Sequence, residues 1–440
     1  MEDGKRRHGK PALAHFGQMG EGHPSIVGGD GCTVYGDDGT EYLDFTSQLY
    51  CVNAGHGNER ILNSMKEQLD SIQYVSSAMH SDVRTEYADR LSDVAPEPLE
   101  SVFFSVSGSE ANEAATQIAR EIQDAGTVLT RWRSYHGSTY ATAGMTGDPA
   151  MRTAVESHAG TTGSTKFLPP FDGCDSPFDT ETPEELTERA GDHLEYVVRN
   201  QGPDSVAALV TEVVGGSSGA FTPPPGYFDR VREICDEYDI LLVADEVITG
   251  FGRCGDWFAC DTESLEPDMI TFAKGATSAY VPLAGVLTSG EIAENVYEKQ
   301  PAIGHTFAGS PVGCAAGLAA LEEYDELIGN VERLEPHLRE GLSALKKYDV
   351  VGDVRGRGFL WCVEFVEPET GEPVFDPRTE DGDNPVKEVI GEARERGVLV
   401  GSGRPGFQIM VAPPLCASKE EIKHGVETLK TSIEYVFDER

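Results

Sequence analysis

The chain has 440 residues, of which 75 are acidic and 35 basic, so its formal net charge is −40 at pH 7. The acidic residues are spread along the whole chain, which argues against a nucleic-acid binder with a basic face and against docking on an anionic membrane. Hydrophobic residues make up 39% and aromatic residues 8% of the sequence, enough for a folded globular protein rather than a disordered acidic chain. At roughly 100–200 residues per domain, the length allows two or three domains.

The basic residues comprise 12 lysines and 23 arginines. An acidic surface with few lysines suits a protein that works in concentrated salt, where repulsion between like charges is screened. We therefore expect a halophilic source, and an acidic protein from an ordinary mesophile is the alternative.

The nine cysteines form no CxxC pair and no cluster with histidine at zinc-finger spacing, so we expect reduced thiols and no metal site. No apolar signal core follows the basic residues 5–7, and no apolar run approaches the ~18 residues of a membrane-spanning helix. We expect a cytoplasmic protein without a membrane anchor.

Residues 1–30 are polar and glycine-rich and are predicted to form an N-terminal arm. Residues 31–54 alternate in polarity around a Gly-Asp-Asp-Gly turn, which predicts a short hairpin. From about residue 60 to 320, short apolar runs alternate with amphipathic segments, which predicts a mainly parallel sheet with helices on both faces. The predicted strands are 101–106, 204–214, 239–247 and 268–273, and the predicted helices are 109–123 and 226–239.

After about residue 330 the pattern is typical of a smaller α+β domain. It predicts an amphipathic helix at 331–348, a strand or hairpin at 351–366, a surface loop at 366–384 and a final helix at 418–437. We expect an α/β protein divided into residues 1–59 (arm and hairpin, part of the small domain), 60–325 (large domain) and 326–440 (C-terminal small domain).

The first motif that carries chemistry is SVSGSEANEAA at 105–115, where a strand ends and a helix begins. Backbone N–H groups at a helix start bind anions, and a glycine lets a phosphate approach closely. Ser107 and Glu110 also have the spacing of a capping box, and a simple helix cap is the better interpretation of this motif alone.

Two further motifs place polar groups after apolar strands. In LLVADEVITGFGR (241–253) the strand ends in Asp245, and a buried carboxylate is costly unless it is paired. In DMITFAKG (268–275) Lys274 follows the strand, and a lysine in an apolar site has a lowered pKa and attacks carbonyl groups. Functional groups collect at the carboxyl ends of parallel strands. Taken singly, Asp245 is better explained as a helix-capping or salt-bridged aspartate. Lys274 taken singly is better explained as an ordinary lysine that leaves the strand for solvent.

Together, the three motifs supply the parts of a pyridoxal 5′-phosphate site. The phosphate takes the helix start, the aspartate keeps the pyridine nitrogen protonated, and the lysine forms a Schiff base.

With these motifs the chain resembles the class III (ω-amino acid/amine:pyruvate type) pyridoxal-phosphate-dependent aminotransferases. The motifs follow the family's order over nearly the full length: SGSEANEAA, YHG (135–137), ADEVITGFGR, FAKG, HTFAGSPVGCAAGLAAL (305–321), VRGRGFL (354–360) and APPL (412–415). The resemblance implies an aspartate-aminotransferase-like large domain (fold type I) and a homodimer with shared active sites, or a tetramer.

The resemblance also implies the roles of individual residues. Lys274 carries the cofactor, and Asp245 pairs with its pyridine nitrogen. Further implied contacts are Val247 and Tyr135 on the two ring faces, Gly108 and Ser109 at the phosphate, Glu212 near the ring, and Thr306 at the phosphate of the partner subunit.

The substrate class is suggested by TSQLYCVNAGHGN (46–58), which resembles the subgroup that uses ω-amino acids or amines with pyruvate. Tyr50 would line the substrate pocket, and Arg404 would bind a substrate carboxylate through its two-pronged guanidinium. Gln48 and Tyr50 depart from the subgroup's usual residues. The implied reaction is ping-pong transamination through pyridoxamine phosphate, from an amine donor to an α-keto acid such as pyruvate.

Three alternative functions compete with this interpretation. Another class III reaction, by an aminomutase, a decarboxylase or a racemase, would share Lys274 and Asp245. A cofactor-bound regulatory subunit would not need both residues. A nucleotide-binding α/β protein would need a G-x-G-x-x-G or P-loop motif, which SVSGSEANEAA is not.

Overall fold

The structure is a computed structural model that describes residues 24–156 and 163–437. The predicted N-terminal arm lies outside the described residues up to position 23. Its last part was predicted wrongly, because Ile26–Asp30 forms a strand that pairs with the following hairpin.

Strands of the described residues fall into three sheets. In chain order the strands are β1 Ile26–Asp30, β2 Thr33–Gly36, β3 Glu41–Asp44, β4 Leu99–Ser105, β5 Thr127–Arg131, β6 Ser164–Phe167, β7 Val206–Thr211, β8 Leu241–Asp245, β9 Met269–Phe272, β10 Ala284–Ser289, β11 Val351–Arg357, β12 Leu360–Phe365, β13 Val398–Leu399, β14 Gly401–Ser402 and β15 Gln408–Val411.

The longer helices pack around these sheets. They are Glu59–Ser71, Asp82–Val94, Gly108–Gln123, Tyr140–Met145, Pro149–Glu156, Pro183–Gln201, Tyr227–Glu237, Ala259–Glu263, Gly290–Lys299, Pro311–Ser343, Pro385–Glu395 and Lys419–Phe437.

The largest sheet has seven strands in the order β4-β10-β9-β8-β7-β5-β6. Strand β10 runs antiparallel to both of its neighbours, and the pairs from β9 to β6 are parallel. The predicted mainly parallel sheet of a fold type I enzyme is therefore confirmed, and the reversed strand β10 is an addition that the sequence pattern did not indicate.

Apolar strands and small helical side chains explain why this sheet is buried. Every residue of β7 is buried, as expected for a strand covered by helices on both faces. The helix Gly108–Gln123 lays small residues on the sheet, so its start comes close to the carboxyl ends of β8 and β9. Its buried residues include Ala111, Ala114, Ala115, Ile118 and Ala119.

The two smaller sheets connect the ends of the chain. Strand β3 pairs in parallel with β13, and β11 and β12 form the predicted hairpin with β15 alongside. The helix predicted from residue 331 is the second half of Pro311–Ser343, which runs through the predicted boundary at 325/326. Within 24–156 and 163–437, the structure contains no helix long and apolar enough to cross a membrane.

Candidate active site

Three of the predicted polar residues end neighbouring strands of the large sheet. Glu212 follows β7, Asp245 ends β8, and Lys274 lies two residues after β9. Because these parallel strands are adjacent, all three side chains are brought to one edge of the sheet.

The amine of Lys274 is the reactive group of this edge. Desolvation lowers the pKa of Lys274 below its ordinary value, opposed by the acidic groups Cys51 and Asp245. Among the described residues no hydrogen bond or ion pair uses Lys274 Nζ, which faces the Tyr50 ring at 5.5 Å from the centroid. An unpaired, desolvated amine of this kind is a nucleophile toward carbonyl carbon.

Asp245 is buried and held by three hydrogen bonds. Its Oδ2 accepts from Asn112 Nδ2 at 2.8 Å and lies 2.7 Å from His136 Nδ1. Its Oδ1 accepts from the Val247 backbone N–H at 3.1 Å. Asn112 Oδ1 in turn accepts from the Thr271 hydroxyl at 2.9 Å. The network fixes the carboxylate and leaves Oδ1 able to accept one more proton donor, such as a protonated ring nitrogen.

Sequence reasoning missed Asn112 and Thr271, and it gave His136 no chemical role. Asn112 could have been found as the one amide on a helix face whose other buried residues are mostly alanines. Thr271 is a buried hydroxyl within an apolar strand. A buried polar group without a local partner signals a long-range hydrogen bond.

The helix start beside Asp245 is both capped and open to an anion. Ser107 Oγ accepts from the Glu110 backbone N–H at 3.2 Å, as the predicted cap requires. Gly108 packs on Val247, and a Cβ at Gly108 would lie 2.9 Å from Val247 Cγ1. Only glycine fits here, so the backbone N–H groups at the helix start stay uncovered by a side chain.

Ser109 is fixed by the segment that follows Tyr135. Its Oγ accepts from the Ser138 backbone N–H at 3.2 Å. Gly137 has φ 138°, and a Cβ there would lie 2.5 Å from Ser109 Oγ. The structure therefore brings the YHG motif against the predicted phosphate-binding residues.

Glu212 forms a buried ion pair with Arg131. Its Oε2 accepts from Arg131 Nη2 at 2.8 Å and its Oε1 from the Gly216 backbone N–H at 3.2 Å, and both charged side chains are buried. The negative charge of Glu212 also favours the protonated form of Lys274. Such a pair resists disruption, because removing one partner would leave a buried charge alone.

The wall of the site opposite the sheet is an unusual turn. Ser47–Tyr50 have φ values of 44°, 47°, 66° and 64°, which make one turn of left-handed helix without a glycine. This conformation costs about 1–2 kcal/mol per residue, so tertiary contacts must hold it. It buries the Tyr50 side chain and turns its ring toward Lys274.

Arg404 reaches the same region from the C-terminal part of the chain. Its guanidinium carbon lies 5.0 Å from the centroid of the Tyr135 ring, and Nη1 lies 3.6 Å from Asp148 Oδ2. The backbone N–H of Arg404 donates to Ser217 O at 2.8 Å. A cavity of about 220 Å³ opens beside this guanidinium. The distance of 3.6 Å is too long for a hydrogen bond, so the guanidinium is not locked to Asp148.

Thr306 lies on an exposed loop next to His305, whose Nδ1 is 3.9 Å from Glu110 Oε2 in the first turn of the helix that begins at Gly108. The Thr306 carbonyl accepts from the Tyr74 hydroxyl at 3.0 Å, and the neighbouring Phe307 side chain is 64% exposed. Among contacts of the described residues, none joins Thr306 to Gly108 or Ser109.

The residues at the sheet edge fit pyridoxal phosphate. The lysine amine is unpaired, the Asp245 carboxylate has a free acceptor position, and Gly108 leaves a helix start uncovered. A half-buried, desolvated lysine, a fixed carboxylate and an anion-binding helix start at one sheet edge define a pyridoxal-phosphate enzyme.

Comparisons with known proteins give the family. The sequence profile of the family described as Aminotransferase class-III matches residues 19–433. A probable aminotransferase of Mycobacterium tuberculosis is 36% identical over 95% of this chain and 91% of its own. A probable mitochondrial gamma-aminobutyrate transaminase 3 of Oryza sativa subsp. indica is 31% identical over 96% and 84%. The PMP-bound form of an aminotransferase from Vibrio fluvialis superposes with a TM-score of 0.90 at 28% identity, covering 97% of each chain.

The chain belongs to the class III aminotransferases. It is a pyridoxal-phosphate-dependent transaminase of fold type I, as the sequence motifs predicted.

Proposed function

We propose that the enzyme transfers the amino group of an ω-amino acid or amine to an α-keto acid, with pyruvate as the acceptor. The observation that carries the proposal is the Arg404 guanidinium stacked over Tyr135 and only loosely paired with Asp148. An arginine in this position can bind a substrate carboxylate with two parallel hydrogen bonds. One relative is described as a probable gamma-aminobutyrate transaminase, and gamma-aminobutyrate is an ω-amino acid.

The proposed chemistry divides among the residues of the sheet edge. Pyridoxal phosphate, when bound, supplies an electron-withdrawing ring that stabilises negative charge on the carbon next to a substrate amine. Asp245 would keep the proton on the ring nitrogen, and Gly108 and Ser109 would hold the phosphate. Val247 and Tyr135 would hold the ring. Lys274 would hold the cofactor, and its free amine would move the proton at the donor carbon; such positioned transfer contributes typically ~100–10,000-fold.

Spectra of the cofactor-loaded enzyme test the proposal without a keto acid. We expect β-alanine, taurine or an arylalkylamine, each added alone, to convert the visible cofactor absorbance to a near-ultraviolet band in a single turnover. Pyruvate added afterwards should restore the visible band. A spectrum that no donor changes, or release of carbon dioxide, would instead favour a mutase or decarboxylase of the same family.

Replacing Arg404 by alanine should separate substrates with a carboxylate from those without. We expect KM for pyruvate and for β-alanine to rise about 10- to 100-fold, the effect of losing a charge-assisted hydrogen bond. The rate of the first half-reaction with an arylalkylamine should change far less. Steady-state kinetics with both donor types measure the difference.

Arg378 provides the matched control for that experiment. It lines the same cavity, but its guanidinium is already bound to Asp376 at 2.7–3.0 Å and to Asp175 at 2.9 Å. Arg378→Ala should therefore leave the ratio of carboxylate to amine activity unchanged. Equal losses on both donor types in Arg404→Ala would contradict the proposed contact.

The proposed assembly is a homodimer, or a tetramer built from it, in which Thr306 reaches the phosphate of the partner subunit. Support comes from exposed apolar side chains that a second copy would cover. Tyr74 and Phe307 lie beside Thr306 with their rings 5.9 Å apart, and both are exposed.

The setting we propose for the enzyme is a cytoplasm of high salt concentration, supported by the net charge of −40 and the low lysine content.

For the domains we propose the division at residues 59 and 325. The pairing of β3 with β13 supports an N-terminal contribution to the small domain.

A further inference from the structure

Arg253 is a fully buried guanidinium without an acidic partner among the described residues. Its Nη1 donates to Phe359 O at 3.1 Å and to Pro413 O at 2.5 Å. Its Nη2 donates to Ser47 Oγ at 3.0 Å and to Asn53 Oδ1 at 2.8 Å. All four acceptors are neutral, so burial of the charge lowers the pKa of Arg253 to about 10.

The acceptors come from separate motifs of the sequence. Phe359 belongs to VRGRGFL, Pro413 to APPL, and Ser47 and Asn53 to TSQLYCVNAGHGN, while Arg253 itself ends ADEVITGFGR. Arg253 therefore joins four segments that are far apart along the chain.

Ser47 and Asn53 bracket the left-handed turn that carries Tyr50. Ser47 Oγ accepts from Arg253 and donates to Ala412 O at 2.7 Å. Asn53 Nδ2 donates to Phe251 O at 2.9 Å. Hydrogen bonds therefore fix the chain to the buried core at the first residue of the turn and again three residues after it. The turn has no glycine to favour its positive φ values, and these bonds hold it together with the bonds from Thr46 and Gln48 to Asp44.

We infer that Arg253 is a positioning residue, which fixes the left-handed turn so that the Tyr50 ring lies over the Lys274 amine and forms the wall of the amine-binding pocket. The inference rests on the proposed function for the role of Tyr50. Arginine is required because its planar fork reaches Ser47 and Asn53 from one nitrogen and two backbone carbonyls from the other. A lysine at this position carries the charge but cannot make the four bonds.

A buried charge without a counterion is a poor choice for stability alone. Apolar residues of similar volume fill such a site as well or better. The free-energy cost of burying the Arg253 charge is explained if the guanidinium orders a turn that the enzyme needs for function.

A double-mutant cycle on Ser47 and Tyr50 tests the inference. Ser47→Ala removes the bond from Arg253 and the bond to Ala412 O without burying a new polar group. We expect it to lower kcat/KM for an arylalkylamine about tenfold, the effect of weakening the hydrogen bonds that hold the turn. In the Tyr50→Ala background the same change should have no further effect, because the pocket wall is already gone.

Two comparisons complete the cycle. Ser432→Ala removes a buried hydroxyl that donates to Thr428 O at 2.9 Å in the C-terminal helix, and it should leave kcat/KM unchanged. Arg253→Lys should lower kcat/KM about 100-fold, the scale of a misplacement of about 1 Å at a reacting group. Equal losses from Ser47→Ala in the Tyr50 and Tyr50→Ala backgrounds would overturn the inference.

A second readout needs no substrate. In the cofactor-free protein, trinitrobenzenesulfonate labels free amines, and the label on Lys274 is measured by peptide mass. We expect faster labelling of Lys274 in Ser47→Ala and in Arg253→Lys, because the Tyr50 ring no longer covers the amine.

The labelling result also separates the two proposals. Unchanged labelling in Ser47→Ala would overturn the positioning role, including when Arg253→Lys fails to fold. Faster labelling in a protein that uses no amine donor would instead keep the positioning role and reject the proposed substrates.

Discussion

Lys274→Ala is expected to reduce transamination by about 10,000-fold, the upper end of the contribution of a positioned proton-transfer group. In the proposed function one amine, that of Lys274, both holds the cofactor and moves the proton of the donor carbon, so the variant would lose both roles. The fold should survive, because no hydrogen bond of the described residues depends on Lys274 Nζ. Single-turnover rates with a donor amine measure the loss, and far-ultraviolet circular dichroism checks the fold.

Lys166 is a matched control for the reaction of the Lys274 amine with the cofactor. Burial also lowers the pKa of Lys166, to about 7. Its Nζ, however, donates to Thr130 Oγ1 and to Gly144 O, both at 2.7 Å, on the edge strand β6. Borohydride reduction of the loaded enzyme should therefore fix the cofactor on Lys274 and leave Lys166 unmodified. Cofactor trapped on Lys166, or normal turnover by Lys274→Ala, would contradict the assignment.

The positions of Lys274 and Asp245 could be predicted from the sequence because each follows a short apolar strand in an alternating α/β pattern. Parallel strands bring such residues to one edge whatever the details of packing. The helix start at Ser107 could be predicted for the same local reason, since its cap lies within four residues.

The left-handed turn could not be predicted in this way. Positive φ values without glycine are locally unfavourable, so tertiary contacts must hold the turn. Arg253 supplies two of these contacts, to Ser47 and Asn53, from more than 190 residues further along the chain. Strand β10 was missed for a related reason. It runs antiparallel between β4 and β9, and its short apolar run gives no sign of which neighbours it will find.

The placement of Thr306 shows another limit. No contact among the described residues of the single chain joins Thr306 to Gly108 or Ser109, and its neighbour Phe307 is 64% exposed. A residue that completes a site in another copy of the chain carries no local pattern, so its role rests on the family motif alone.

Asp245→Asn is expected to slow proton removal from the donor by about 100- to 1,000-fold, the range for removing one preorganised electrostatic contact. The amide cannot hold the proton on the ring nitrogen as a carboxylate does. It also meets three donors, from Asn112, His136 and Val247. At least one donor therefore loses its acceptor when an NH₂ group replaces an oxygen.

The signature of Asp245→Asn is a change in which step limits the rate. If the carboxylate stabilises charge on the donor carbon, the variant should show a larger kinetic isotope effect with a donor deuterated at that carbon. Asp268→Asn is the control, because Asp268 precedes β9 at the opposite end of the sheet and binds Arg232 and the Leu242 backbone N–H. It should leave the isotope effect unchanged even if stability falls. A near-normal rate in Asp245→Asn, or a lower rate with an unchanged isotope effect, would mean that the carboxylate only supports the fold, since loss of folded protein alone lowers both isotopic rates equally.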